Sequence, residues 1–174
     1  RNEGKFLANL GISYEKMGDI PRAIDCFEQS LNIACEIGDR DGEGTALRNL
    51  GLSYKELGDV QRAVDYYSKS LDIVREIGDK DAEGSVLGNL GTTYFLLGDI
   101  ERSKNFHEQH LEIARMIGDQ IGEGKALGNL GTAYFLNHEV DRAIDYFKQD
   151  LDIARKIGDK SGQGAALGSL GNAY

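Results

Sequence analysis

Between Gly44 and Gly78 apolar side chains fall at helical intervals twice over. Leu47, Leu50, Tyr54 and Leu57 form one stripe, and Val60, Ala63, Val64, Tyr67, Leu71, Val74 and Ile77 form a second, with the spacing of amphipathic helices. No window alternates apolar and polar residues as a half-buried strand would, so no strand is expected. The pattern returns every forty residues, as Leu10-Gly11-x-x-Tyr14, Leu50-Gly51-x-x-Tyr54, Leu90-Gly91-x-x-Tyr94, Leu130-Gly131-x-x-Tyr134 and Leu170-Gly171-x-x-Tyr174. A period of this size predicts an all-α stack of helix pairs in which each unit hides its apolar face only against its neighbours. In register the units are 1–40, 41–80, 81–120 and 121–160, with 161–174 opening a fifth. The whole reads as a single array cut from a longer protein.

The punctuation between stripes agrees. Gly18-Asp19, Gly58-Asp59 and Gly98-Asp99 divide the helices within units, while Gly38-Asp39, Gly78-Asp79, Gly118-Asp119 and Gly158-Asp159 divide the units. Glycine supplies a left-handed C-terminal residue and aspartate caps the next helix, so these carboxylates read as structural. Asn137-His138 replaces this turn in the fourth unit; asparagine tolerates the left-handed conformation and His138 is the poorer cap. Pro21 falls in a first turn, where a missing amide donor does little harm. Gly84, Gly88 and Gly91 lie inside a predicted helix. Each costs up to about 1 kcal/mol relative to alanine, which points to close approach of a neighbouring helix.

Composition removes several classes of function. The formal net charge is −9 and no basic stripe is evident, which argues against nucleic acid and anionic membrane as partners. Apolar runs are too short to span a bilayer, and no secretory leader is evident. Cys26 and Cys35 lie in one predicted helix, about 13 Å apart along its axis, too far to pair. Free thiols fit a reducing, cytoplasmic setting. Neither a nucleophile with its base nor a Cys/His cluster is present, and the Gly-rich stretches follow no strand, so neither catalysis nor a cofactor is expected.

Leu7, Leu10-Gly11, Tyr14, Gly18, Ala23, Phe27 and Leu31, and again Leu47, Leu50-Gly51, Tyr54, Gly58, Ala63, Tyr67 and Leu71, resemble the tetratricopeptide-repeat signature of large residue, Leu-Gly, Tyr, Gly, Ala, aromatic and Leu. The resemblance covers essentially the whole chain. It departs in a leucine where tryptophan is usual, in Cys35 or Arg75 where a proline often ends the unit, and in a forty-residue period in place of thirty-four. The extra length, with I-A-R-x-I-G-D closing one unit and A-L-G-N-L-G opening the next, is similar to the Leu-Gly-Asn-repeat (LGN/Pins) branch. The resemblance implies a right-handed superhelix of antiparallel helix pairs, its first helices lining a concave groove that binds an extended peptide. An LGN/Pins-like role would imply polarity and spindle-orientation partners.

Function is sought in exposed repeated positions and in breaks of the pattern. Asn9, Asn49, Asn89 and Asn129 each precede a Leu-Gly pair, with Ser169 in the fifth copy. An asparagine amide both donates and accepts, so a ladder of them can hold a peptide main chain whatever its side chains; the competing reading has them bond a neighbouring helix and bridge units. Helical spacing adds Lys5, Ile12, Lys16, Arg48, Leu52, Lys55 and Glu56, and then Thr92, Phe95, Leu96, Lys125, Thr132, Phe135 and Leu136, to the same face. That face is cationic towards the N-terminus and aromatic towards the C-terminus, which suits a segment part acidic and part apolar, although Phe95 and Phe135 equally suit packing against the next helix. Lys104, His107 and His110 form one polar stripe of spacing three; a metal site lacks further ligands, and a softer joint between the third and fourth units is expected. The expectation is a non-catalytic protein-interaction scaffold, LGN/Pins-like as an adaptor. The alternatives are end-to-end self-association through Leu7 and through Leu167, Leu170 and Tyr174, or a sensor array in a larger regulatory protein.

Overall fold

The computed structural model describes residues 2–174. Among them are nine α-helices and no strand: α1 (Asn2–Lys16), α2 (Ile20–Glu36), α3 (Arg40–Glu56), α4 (Val60–Ile77), α5 (Lys80–Leu96), α6 (Ile100–Ile117), α7 (Gln120–Leu136), α8 (Val140–Lys156) and α9 (Lys160–Ala173). The fold is all-α and of the helical-repeat, solenoid class. Turns of two or three residues join the helices, short enough that sequence neighbours run antiparallel. The chain divides into two compact units, one ending at Asp79 and one spanning Lys80–Tyr174. In the first, α1 through α4 pack in order and α1 also touches α3; in the second, α5 through α9 pack in order, with α5 touching α7 and α7 touching α9. Within each unit the first helices of the pairs therefore share a face.

The turns are made as the sequence implies. Gly18, Gly38, Gly58, Gly78, Gly98, Gly118 and Gly158 all take positive φ. Asp19, Asp39, Asp59, Asp99 and Asp119 accept a hydrogen bond from the backbone N–H three residues on, satisfying a donor that a helix start leaves unpaired. The fourth unit differs from the sequence reading by one position. His138, not Asn137, takes the left-handed conformation, with φ 62°, and Glu139, not His138, stands at the cap, where its side chain makes no capping bond. Asn137 instead donates to Glu139 Oε1 at 2.7 Å.

The core explains the glycine of the Leu-Gly pair. A Cβ on Gly11 would lie 2.5 Å from the Phe27 ring, one on Gly51 2.7 Å from Tyr67, and one on Gly91 2.6 Å from His107. Each glycine is thus a slot that admits a ring from the second helix of its pair, and the helix-propensity cost is offset by burial of that ring. Phe27 and Tyr67 are fully buried. Phe147 fills the corresponding slot at Gly131, inside a cluster with Leu127, Leu130 and Tyr134. Two residues assigned to the apolar stripes lie elsewhere: Leu57, at the C-cap of α3, is 50% exposed, and Ile77, at the end of α4, is 40% exposed. Both sit in the last turn, where the helix runs past its partner.

Candidate functional site: a recurring inter-helix cleft

Where two first helices of a unit lie side by side, a cleft opens between them, and one register position of the intervening second helix recurs on its floor. Between α1 and α3 the floor is Ser30, with Lys5, Ala8, Asp39, Gly42 and Thr45 among the walls. Between α5 and α7 the same register brings His110 to the floor, with Ser85, Gly88, Asp119, Gly122 and Lys125 around it. Between α7 and α9 it brings Asp150, with Lys125, Gly128, Asp159, Gly162 and Ala165. The cleft volumes are about 100 Å³ over Ser30, 280 Å³ over His110 and 320 Å³ over Asp150.

The serine floor is closed. Ser30 Oγ donates to the Gly4 carbonyl at 2.9 Å, and Ser70, at the same register in α4, donates to the Gly44 carbonyl at 2.8 Å. Such bonds tie the second helix to the first and use up the hydroxyl proton. The other floors are open. His110 is 8% exposed and its Nδ1 has no hydrogen-bond partner. Asp150 is half-buried, and none of the described residues donates to its carboxylate. Burial raises the Asp150 pKa to about 6, with the Asp159 charge adding to the shift. Burial likewise lowers the pKa of His110, against the pull of Asp119, and at neutral pH its imidazole is uncharged.

The expected groove residues divide. Asn89, Thr92, Lys125 and Asn129 line the His110 cleft, and Lys125, Asn129 and Thr132 line the Asp150 cleft with Ser169. Lys5 lines the Ser30 cleft. Asn9, Asn49, Arg48, Leu52, Lys55, Phe95 and Phe135 line none of the three. None of the four asparagine side-chain amides has a hydrogen-bond partner among the described residues; Asn129 and Asn9 are exposed, Asn89 is half-buried, and Asn49 is 8% exposed with its Nδ2 unpartnered. Thr92 and Thr132 spend their hydroxyl protons on the carbonyls of Gly88 and Gly128, each at 3.0 Å, and so can only accept from a ligand. Phe135 packs against the core of the second unit.

In the first unit the expected cationic face is mixed. Lys55 shares its surroundings with Glu15 and Glu56; burial lowers its pKa while the two carboxylates raise it. Glu15, in turn, accepts from Ser53 Oγ at 3.1 Å, and burial holds its pKa up. The stripe on α6 is buried: Lys104 is 8%, His107 2% and His110 8% exposed. Lys104 reaches Glu101 at 2.7 Å and Glu139 at 3.4 Å, and lies 4.9 Å from the centre of the Tyr134 ring. A charged tie of this kind fastens α6 to the start of α8. Among the described residues no group of three or more His, Cys, Asp or Glu is placed to hold a metal ion, and no helix is long and apolar enough to cross a membrane. Cys26 is buried and Cys35 exposed, and both are free thiols.

Sequence reasoning singled out His110 in a polar stripe but passed over Asp150, and it did not connect either with the glycines opposite. The signal is present: the register reads Ser30, Ser70, His110, Asp150, and the facing position reads Ala8, Arg48, Gly88, Gly128. Where the second helix carries a longer polar side chain, the first helix has lost its own.

Two family models, both described as tetratricopeptide repeat, match the sequence, one at residues 4–76 and 42–116 and the other at 126–161. The comparison with curated protein sequences found no match. Among solved structures the chain is similar to BtubC (BKLC) from P. vanneervenii, with TM-score 0.88 and 22% identity over 97% of this chain and 70% of that one. It is similar to the Signal Transduction ATPase with Numerous Domains protein with a tetratricopeptide repeat sensor from Pyrococcus horikoshii, with TM-score 0.90 and 19% identity over 98% of this chain and 27% of that one. It is also similar to kinesin light chain-like repeats from Podosopora anserina, with TM-score 0.83 and 19% identity over 98% and 84%. At these identities the likeness is one of fold.

Proposed function

Because the chain belongs to the tetratricopeptide-repeat family, whose members are in general protein-interaction scaffolds, we propose that it is a non-catalytic module that captures an extended peptide segment of a partner protein. The segment lies along the face formed by the first helices of a unit. The observation that carries this reading is the set of asparagine amides. If they were there to bridge helices, they would be bonded to them; Asn9, Asn49, Asn89 and Asn129 have no partner among the described residues. At Asn9, Asn89 and Asn129, which are exposed or half-buried, such an amide at a fixed register offers one donor pair and one acceptor to a main chain, independent of its sequence, whereas the Asn49 Nδ2 is buried. The clefts beside Asn89 and Asn129 leave room for alternate side chains of the segment.

A cytoplasmic adaptor of the LGN/Pins kind is the role we favour within this reading, on the forty-residue period and the repeated A-L-G-N-L-G stretch. The deciding experiment is a peptide-display selection on the purified chain, repeated with Asn49, Asn89 and Asn129 changed together to alanine. Peptides that enrich on the parent and fall at least about tenfold in affinity on the triple variant support the groove. Equal binding by the two proteins overturns it.

A second reading, self-association, draws on Leu167 of α9, 53% exposed, and on Tyr174 just beyond it, 82% exposed, but not on Leu170, which is 9% exposed and packs in the core. A mass that rises with concentration, and falls back on Leu167→Lys, would favour it. A mass that stays monomeric would remove it.

A further inference from the structure

The α7–α9 cleft is the largest of the three and holds a carboxylate that makes no hydrogen bond or ion pair with any described residue. Asp150 Oδ1 lies 3.3 Å from where a Cβ on Gly124 would stand, and Oδ2 lies 3.1 Å from where one on Gly128 would stand. The carboxylate therefore rests against bare backbone of α7 and looks through the gap those glycines leave. At the register of Gly128 the first unit carries Arg48, and at the register of Asp150 it carries Ser70, which is bonded to Gly44. At this register the first unit carries a cation on one of its two first helices, the other having Ala8, and the second unit carries no cation there and an anion at Asp150. A half-buried carboxylate without donors is costly unless something pairs with it. The raised pKa of Asp150 is the same cost seen through its proton.

We propose that this cleft is a cation subsite: it receives the guanidinium or ammonium head of an arginine or lysine side chain carried by the bound segment, which pairs with Asp150. The proposal rests on the peptide-groove reading above and names one residue class of its ligand. The cleft of about 320 Å³ accommodates a long, thin side chain, and the glycines provide a wall without side chains along which a methylene stem can lie. The charged groups that line the cleft are Asp150 from α8, Lys125 from α7 and Asp159 at the start of α9. Asp159 makes no side-chain capping bond, so two carboxylates face the cleft against one lysine. Lys125 is exposed on the rim it shares with the His110 cleft and makes no ion pair. The net charge of −9 adds a long-range attraction for a cationic segment.

The test uses the intact chain and two probes. In the first, N-acetyl-arginine amide is titrated into isotope-labelled protein and followed by NMR, with N-acetyl-citrulline amide, which has the same shape and no charge, as control. Saturable shifts centred on Gly124, Gly128 and Asp150, absent with the citrulline probe and lost in Asp150→Asn, are expected. Shifts that survive Asp150→Asn, that scatter over the acidic surface, or that citrulline reproduces would overturn the subsite. Asp150→Asn removes the charge while keeping the shape, so its spectrum reports at once whether the fold is kept. In the second, peptides selected on the parent chain are compared with those selected on Asp150→Asn. A fixed Arg or Lys position that is present on the parent and disappears on the variant, with affinity at least about tenfold lower, is the expected outcome. Selected peptides that need the asparagines but carry no basic position would overturn the subsite and leave the groove standing. Arginine-amide binding at Asp150 with no peptide selected at all would do the reverse.

Discussion

In the first unit Phe27 and Tyr67 fill the slots at Gly11 and Gly51, and Ser30 and Ser70 bond the helices of each pair together. In the second unit α6 brings His107 to the slot at Gly91, His110 to the serine's register, and Lys104 beneath Tyr134, while α8 returns Phe147 to the slot and sets Asp150 at that register. The backbone is the same; the titratable load is not. One unit bonds Ser30 and Ser70 to the first helices but leaves the Tyr67 hydroxyl buried without a partner, and the other puts two imidazoles and a carboxylate where each has too few partners. A scaffold gains nothing in stability from that exchange, since buried polar groups without partners are destabilising. The comparison therefore sets the second unit apart by the imidazoles and the carboxylate on its second helices, while both units hold buried polar atoms without partners.

The largest effect that can break the comparison is in acid. Burial lowers the His107 pKa to about 4 from 6.5, with His110 adding to the shift. The unfolded chain then takes up a proton near pH 6.5 that the folded chain refuses until about pH 4. Stability must fall as pH falls through that window, by about 3 kcal/mol for His107. Asp150 acts with the opposite sign: its folded pKa of about 6 lies above its unfolded value, so its protonation favours the fold as pH drops below 6. Urea titrations from pH 7 to pH 4 are expected to lose stability in the parent and to lose less in His107→Phe. Asp150→Asn, which has no compensating proton, should lose more. His107→Phe should also gain about 1–3 kcal/mol at pH 7, because it copies Phe147 and removes a buried nitrogen that has no partner. An unchanged acid slope in His107→Phe would mean the two units are not electrostatically different.

How much of this the sequence discloses follows from how far each property reaches along the chain. Helix stripes, glycine turns and aspartate caps depend on residues within a few positions of one another, and all are legible at one repeat's length. The cleft floors are not, because Gly128 and Asp150 are twenty-two residues apart and meet only when α7 and α8 are packed. The repeat supplies the missing register once the two columns are compared across units. The error at 137–139 has another cause. Asparagine's tolerance of left-handed geometry drew attention to Asn137, whereas counting from Gly18, Gly58 and Gly98 puts the strained position at His138. Spacing left Phe135 equally suited to the groove and to packing, and the structure sets it, partly buried, against the core.

That strained turn gives the next effect in size. Each helix-pair turn of the first unit has glycine at positive φ, Gly18 at 78° and Gly58 at 81°, and the second unit has Gly98 at 77° but His138 at 62°. A side chain there costs roughly 1 kcal/mol relative to glycine. His138→Gly is expected to raise the stability of the second unit by about that amount, read as a higher urea midpoint with an unchanged slope. Gly58→His in the first unit should cost about the same. A neutral His138→Gly would show that the Asn137 to Glu139 hydrogen bond already offsets the strain.

The smallest effect separates members of both units in the same way, and so tests what the repeat holds constant. Arg62 sits 4.3 Å from the centre of the Tyr54 ring and Arg102 4.5 Å from that of Tyr94, whereas Arg22 and Arg142 stand 5.5 Å from Tyr14 and Tyr134. Tyr54 and Tyr94 are each stacked on a second ring, Tyr66 at 5.2 Å and Phe106 at 5.3 Å. Tyr134 is stacked likewise, on Tyr146 at 5.2 Å, but its ring is shared with Lys104, and at Tyr14 the corresponding residue is Cys26. Attraction between a cation and a ring face falls off with distance and is worth about 0.5–1 kcal/mol at exposed sites. Arg62→Ala and Arg102→Ala should therefore each lower stability beyond the loss of their ion pairs with Asp59 and Asp99. Arg22→Ala and Arg142→Ala should cost less. Double-mutant cycles with each tyrosine changed to leucine isolate the ring term. If the four cycles sort by unit instead of by distance, the division between the units runs deeper than their polar cores.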